Sequence, residues 1–264
     1  MDVERLAGPD DVLTATGGDR FARNTIRPEV FPTVGWRRGT AVAWVGVDAE
    51  ERRPHLQALG LPDDVRAVLD VVARELPDGV REVTGGVPLT VPAPVADALG
   101  DRLRPGFHWL FRTSDTPPDP VTGVDVTVLP PEGDERVRRL LERSSDVTSA
   151  VPGDPAVRRW VVVAEDGDVL ACAADTSGAA GIGHMGGVAV APEARRRGLG
   201  AAVVAWLTRD LLLGGHDAVA VGVLAPERGA QRLYDRLGYV TQHELKSGPW
   251  APEPASSPHE VGTP

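Results

Sequence analysis

The chain has 264 residues, 42% hydrophobic and 25% charged, a globular composition with room for one large or two modest domains. Its formal net charge of −10 argues against a general nucleic-acid binder. No apolar run approaches the roughly 20 residues that span a bilayer, and the polar start MDVERLAGPDD is not a secretory signal, so a cytoplasmic protein without a nucleic-acid or membrane partner is expected.

The first 115 residues predict an α+β domain. Residues 36–47 contain a strand, TAVAWVGV. Residues 63–76 predict a helix with Val65, Val68, Leu69, Val72 and Leu76 on one face. Short strands follow at 87–91 and around His108-Trp109, ending at Leu110. The segment TSDTPPDPVTG, 113–123, is polar and proline-rich, and a linker over 116–123 marks a domain boundary.

A second run of elements then fills 124–246. A strand is expected at 124–129, a helix at 134–142 and a loop at 147–155. Strands at 160–164 and 169–174 flank Glu165-Asp166-Gly167-Asp168, and an Asp-Gly pair between apolar runs signals a hairpin. The second of these strands holds the one cysteine, Cys172. A single cysteine excludes a disulfide framework or a cysteine-based metal cluster, and its setting VLACAA reads as a buried strand thiol. A strand over 181–191 leads into a loop, then a helix at 201–213 closed by Gly214-Gly215, a strand at 218–224 and a helix at 227–237. From residue 247 to 264 the proline- and serine-rich sequence PWAPEPASSPHEVGTP reads as a disordered tail.

The most informative stretch is VAVAPEARRRGLGA, 188–201. A strand, a glycine-bearing turn and a helix start follow one another. Free N–H groups and the positive dipole end make a helix start a ready anion site. Gly198 and Gly200 allow close backbone approach. An echo, Arg37-Arg38-Gly39-Thr40-Ala41, runs into a strand instead and lacks that geometry.

The pattern Arg195-x-x-Gly198-x-Gly200 resembles the coenzyme A pyrophosphate loop of the GCN5-related N-acetyltransferases (the GNAT superfamily). Leu233-Tyr234 and Gly238-Tyr239 fit a second motif of that family, in order and spacing. The element order over 124–246 resembles its α/β fold, an α+β mixed sheet. The two-part chain resembles the two-domain FR47-like, glycine N-acyltransferase-like type, so the first half reads as a degenerate GNAT-like copy or as an acceptor-shaping domain.

The resemblance implies acetyl-CoA as co-substrate and a primary amine of a small molecule or protein as acceptor; no His/Asp/Glu cluster has metal-ligand spacing, so no metal is expected. It implies that Arg195, Arg196, Arg197, Gly198, Leu199, Gly200 and Ala201 hold the pyrophosphate and 3′-phosphate. It places Val188, Ala189 and Val190 along the pantetheine arm, with a backbone N–H polarising the thioester. Glu227 stands where the family often has Asn beside that arm. Tyr234 stands where a tyrosine protonates the leaving sulfur; its alternative is core packing. His184 is the first candidate base because its ordinary pKa lies near neutrality, ahead of Glu165 and Asp175. Two other readings remain open: a non-catalytic CoA or acyl-CoA sensor, and a structural, homodimer-forming protein. One CoA per chain is expected, with the site retained by a fragment starting near Val124.

Overall fold

The computed structural model describes residues 2–47, 53–81, 86–144, 150–179 and 181–251. The first half runs β1 (Glu4–Leu6), α1 (Pro9–Ala15), α2 (Arg20–Thr25), β2 (Val34–Arg38), β3 (Ala41–Val47), β4 (Pro54–Leu59), α3 (Pro62–Glu75), α4 (Asp78–Arg81), β5 (Val87–Pro92), α5 (Ala93–Leu99) and β6 (Phe107–Ser114). The second runs β7 (Thr127–Leu129), α6 (Asp134–Ser144), β8 (Arg159–Glu165), β9 (Asp168–Asp175), β10 (Ile182–Val190), α7 (Leu199–Leu213), β11 (Ala218–Leu224), α8 (Arg228–Arg236) and β12 (Val240–Trp250).

These strands form one mixed sheet, in the order β1-β2-β3-β4-β5-β12-β6-β11-β10-β9-β8-β7. Numbered within each half, the order reads the same from either edge. In the first half β2, β3 and β4 are antiparallel, and α3 crosses over to β5, parallel to β4. In the second, β8, β9 and β10 are antiparallel, and α7 crosses over to the parallel β11. Each half then gives away its sixth strand. β6 leaves the first half and pairs with β11, β12 leaves the second and pairs with β5, and the two pair with each other at the centre. The N-terminal half therefore has the topology of a second copy.

Burial follows the sequence pattern. Every residue of β3, AVAWVGV, is buried, as a strand covered on both faces requires. Val65, Val68, Leu69 and Val72 of α3 are fully buried beneath the first half of the sheet. The halves are also joined on the opposite face by α2. Its Phe21 packs in one cluster with Trp44 and with Phe111, Ile182, Ala220 and Leu245, edge-on to Phe111 with ring centroids 5.3 Å apart. Asp19 caps α2, accepting from the amides of Phe21 and Ala22 at 2.9 and 3.1 Å, and its other oxygen lies 2.8 Å from Nε2 of His243 on β12.

Several boundaries differ from expectation. The strand within 36–47 is a hairpin, β2 and β3 turning at Gly39, where φ is +55°. β6 runs four residues past Leu110, to Ser114. The strand expected at 124–129 is three residues long. Residues 247–250 are no tail: they complete β12, pair with β5, and bury Trp250 completely. The indole's apolar area draws that segment into the first half's core despite its proline and serine. Residues 252–264 and 147–149 lie outside the described residues. β1, α1, α2, β4 and α5 were not anticipated; each is only three to seven residues long, too short for periodicity to register.

A fragment starting near Val124 lacks β6, the strand between β11 and β12. It would expose both neighbours' edges and lose Phe111, which is 1% exposed. Such a fragment is expected to show no cooperative thermal unfolding, against one cooperative transition for the intact chain by circular dichroism. Cys172 is 0% exposed and burial pushes its thiol pKa up to about 12. An aromatic disulfide reagent should therefore modify it only in denaturant; fast modification of the native protein would contradict this burial.

Candidate active site

Two parallel strands part at the site. β10 and β11 pair only from Ile182 opposite Ala218 to Met185 opposite Val221. Beyond that, β10 stays with β9, Ala189 opposite Cys172 and Val190 opposite Ala171. β11 stays with β6, from Gly222 opposite Phe111 to Leu224 opposite Trp109. The register of β10 on β9 shifts between Gly186 and Ala189. Gly187 lies in that bulge with φ +57°, where a Cβ would sit 2.7 Å from the Trp160 ring, so only glycine fits. The Cys172 thiol donates to the Gly187 carbonyl at 3.3 Å. The Ala191 amide donates to Leu170 of β9 at 2.8 Å. Strand alternation then turns the N–H and C=O of Val190 away from β9 and into the gap.

The loop after β10 ends at the same opening. Arg196 and Gly198 have φ of +65° and +83°, and Gly198 caps α7 in the left-handed conformation without a side-chain bond. The first helical bond is Ala202 N–H to Gly198 O at 3.0 Å. The amides of Leu199, Gly200 and Ala201 thus have no helical partner, and point out of the helix start. Nothing lies within 4 Å of a Cβ built on Gly198, so the approach is open. At Gly200 a Cβ would stand 3.2 Å from Val190 Cγ2 and 3.7 Å from Leu233. That glycine lets the helix start close against both β10 and α8. Of the three arginines, Arg197 pairs with Glu165 and Arg195 donates to the Ser144 carbonyl at 3.3 Å. Arg196 is exposed with no side-chain partner among the described residues. Unpaired amides, room for an anion and a free guanidinium fit a pyrophosphate.

Tyr234 projects from α8 and is 3% exposed. Its ring meets Tyr239 edge-on at 5.2 Å, and the Tyr239 hydroxyl is 2.7 Å from Thr208 Oγ1 on α7. Burial, then the neighbouring Tyr239, push the Tyr234 pKa above its ordinary value, while the Arg112 guanidinium pulls it partly back. The hydroxyl is therefore protonated, a donor, at any neutral pH. Arg112 of β6 went unread in the sequence. Its side chain is 5% exposed and pairs with Asp235, and it donates to the carbonyls of Gln231 and Tyr239 at 3.0 and 2.8 Å. One charged residue in the apolar strand FHWLFRTS is a signal that could have found it.

The other candidates lie as follows. Glu227 sits beside α8 at the end of β11, exposed, its side chain capping nothing. His184 is 5% exposed and four residues before Val188, about 13 Å along the strand at roughly 3.3 Å per residue. Its Nδ1 is 2.7 Å from Thr176 Oγ1 and its amide donates to Ser177 Oγ at 2.9 Å. His184 is thus buried at the β9–β10 connection, held by Thr176 and Ser177. Glu165 holds Arg197. Asp175 holds Arg159 at 3.2 Å and accepts from the Ser177 amide at 3.0 Å. In the first half, the topological counterpart of the phosphate loop is Gly60-Leu61-Pro62, not Arg37-Arg38-Gly39. There Pro62 lacks an N–H and Asp63 and Asp64 occupy the first turn, so that helix start repels an anion.

Comparison with known proteins agrees with this geometry. Residues 127–239 match the model of the acetyltransferase (GNAT) family. No curated protein matches the chain. Among solved structures, the chain is similar to a GCN5-related N-acetyltransferase from Kribbella flavida, at 20% identity and TM-score 0.54, covering 81% of this chain and 87% of that one. It is also similar to a GNAT-family acetyltransferase from Colwellia psychrerythraea, at 12% identity and TM-score 0.53, covering 95% and 100%. A GCN5-related N-acetyltransferase from Sphaerobacter thermophilus matches at 16% identity and TM-score 0.53, over 93% and 94%. At these identities the solved structures speak for the fold, which extends over both halves. The family match thus marks residues 127–239 as a GNAT acetyltransferase domain, and the solved structures extend the likeness in fold to the rest of the chain.

Proposed function

We propose that the protein transfers an acetyl group from acetyl-CoA to a primary amine of a small molecule or protein, by direct attack in a ternary complex. The observation that carries this reading is convergence. The parted strands, the unpaired amides of α7 and the helix bearing Tyr234 meet where Gly200 approaches Val190 and Leu233.

Bound acetyl-CoA supplies an acyl group activated as a thioester. The amides of Leu199, Gly200 and Ala201, with the charge of Arg196, hold its pyrophosphate. The backbone edge of β10 at Val188–Val190 accepts the pantetheine arm as an added strand, and a backbone N–H there polarises the carbonyl. The amine nitrogen forms the new C–N bond as the C–S bond breaks. Tyr234, protonated at neutral pH as a phenol ordinarily is, gives its proton to the departing sulfur. His184, Glu165 and Asp175 are all engaged elsewhere, so the amine arrives neutral, the nitrogen gives up its extra proton to water as the C–N bond forms, and Tyr234 regains a proton from solvent. The engagement of those three side chains, together with Glu227 at the arm, favours the second reading, a non-catalytic CoA sensor.

Thiol release from acetyl-CoA across a panel of primary amines separates the two readings: turnover with at least one amine is expected, and CoA binding without turnover would leave the sensor. Calorimetric titration with CoA should give one site per chain; two would mean that the α3 start binds despite Pro62 and its aspartates. Gly198→Val forces a β-branched residue to φ +83° and crowds the open approach. It should weaken CoA binding tenfold or more, about 1.4 kcal/mol; unchanged affinity in a folded variant would remove the loop from the site. Tyr234→Phe should lower turnover by ~10²–10⁴-fold while CoA affinity stays within about twofold. Equal turnover would return Tyr234 to core packing.

A further inference from the structure

We infer that Arg112, carried into the second half on the exchanged strand β6, is a positioning residue for Tyr234, so that the N-terminal half sets the geometry of the acid in the C-terminal site. This rests on the proposed role of Tyr234. The bonds of Arg112 bracket that tyrosine. One reaches the carbonyl of Gln231, three residues before it, one the carboxylate of Asp235, the next residue, and one the carbonyl of Tyr239, five residues after it. A planar guanidinium with five donors in a fixed fork can grip three acceptors at once, which a lysine cannot do with the same rigidity.

The two-fold repeat supplies an internal control. In the first half the exchanged strand is β12 and the helix corresponding to α8 is α5. There Lys246, opposite Val91 of β5, reaches Asp97 of α5 at 2.6 Å. Arg112, opposite Val221 of β11, reaches Asp235 of α8 in the same way. Both halves thus tie the exchanged strand to the following helix with one ion pair. In the half without a tyrosine, the cation is 36% exposed and its one bond is to a carboxylate that is 69% exposed. That suffices to dock a helix. In the half with Tyr234, the cation is 5% exposed and makes two further bonds. Its Nε is buried without a partner among the described residues. Burying a guanidinium carries a desolvation penalty that docking alone does not require. What the buried fork adds is fixation of the backbone on both sides of one residue, Tyr234.

The test combines turnover with a signal that needs no acceptor. The chain has two tyrosines, so 3-fluorotyrosine labelling gives two ¹⁹F resonances, assigned with Tyr234→Phe. In Arg112→Met the Tyr234 resonance should broaden or split. With the amine and acetyl-CoA, kcat should fall about tenfold or more, with the KM for acetyl-CoA changed less than about twofold. Arg112→Lys should fall between. In a Tyr234→Phe background, Arg112→Met should lower kcat no further. Where Arg112→Met fails to fold, Asp235→Ala removes one acceptor of the fork from its exposed side, and the same cycle is run with it. An unchanged Tyr234 resonance, or an equal loss of kcat with and without the tyrosine hydroxyl, overturns the inference. Full turnover in Tyr234→Phe alone instead overturns the acid role on which it rests.

Discussion

The central pairing of β6 with β12 is the contact on which the rest of the structure depends. Each of these strands belongs by sequence to one half and by hydrogen bonding to the other. Neither half can close its own sheet, so the interface between them is a continuous ladder rather than an apposition of two surfaces. Backbone hydrogen bonds in such a ladder are satisfied only when both partners are present. Phe21, reaching from α2 to Phe111, completes the union on one face. The polar segment at 115–126 is then a surface connection that spans no gap in the core, which is why its composition looks like a linker while the sheet beside it is unbroken.

The two copies share a topology and differ where chemistry would occur. Both have a helix after their fourth strand. At α7 the first turn carries no acidic residue, its cap is a left-handed glycine, and the exposed Arg196 lies two residues before that cap. At α3 the first turn is Pro62-Asp63-Asp64, and Asp64 takes the amide and hydroxyl of Thr40 at 3.0 and 2.8 Å. A carboxylate there stabilises the helix dipole in the way a bound anion would. The first half's helix start thus carries its own carboxylates, and the second half's has no side-chain cap. The same division recurs in the exchanged strands, where a half-exposed lysine in one half corresponds to a buried arginine in the other.

Much of the second half was legible in the sequence because its elements are long and punctuated. The strand expected at 218–224 is β11 residue for residue, and the Asp-Gly hairpin and the helices at 134 and 201 fall within two residues of expectation. The bulge at Gly187 was not legible. Its cause is the Trp160 ring, a contact between residues 27 positions apart. The exchange of β6 and β12 was hidden for the same reason: hydrophobic pattern gives a strand's existence and its faces, not its partner. Arg112 and His184 show the cost of this in opposite directions. Arg112 is not legible as a neighbour of Tyr234 because its segment belongs by sequence to the other half. The ordinary pKa of His184 suits a base, while the residues that hold it, Thr176 and Ser177 on the preceding connection, are visible only in the structure.

The placement of Tyr234 ties these threads together. A phenol buried against Tyr239 cannot ionise readily, and burial alone would make it an inert core residue like its neighbour, which bonds Thr208. What distinguishes Tyr234 is that its hydroxyl has no such partner among the described residues, while its helix is gripped from below by a charge brought from the other half. An unpaired hydroxyl in a rigid setting is a donor waiting for an acceptor, since leaving it unmet is unfavourable. Rigidity matters as much as the donor. An acid placed ~1 Å astray can lose much of its effect, and α8 is only nine residues long, too short to hold its shape without tertiary support. The fold supplies that support from β6, so the helix that carries Tyr234 and the strand that steadies it come from different halves of the chain.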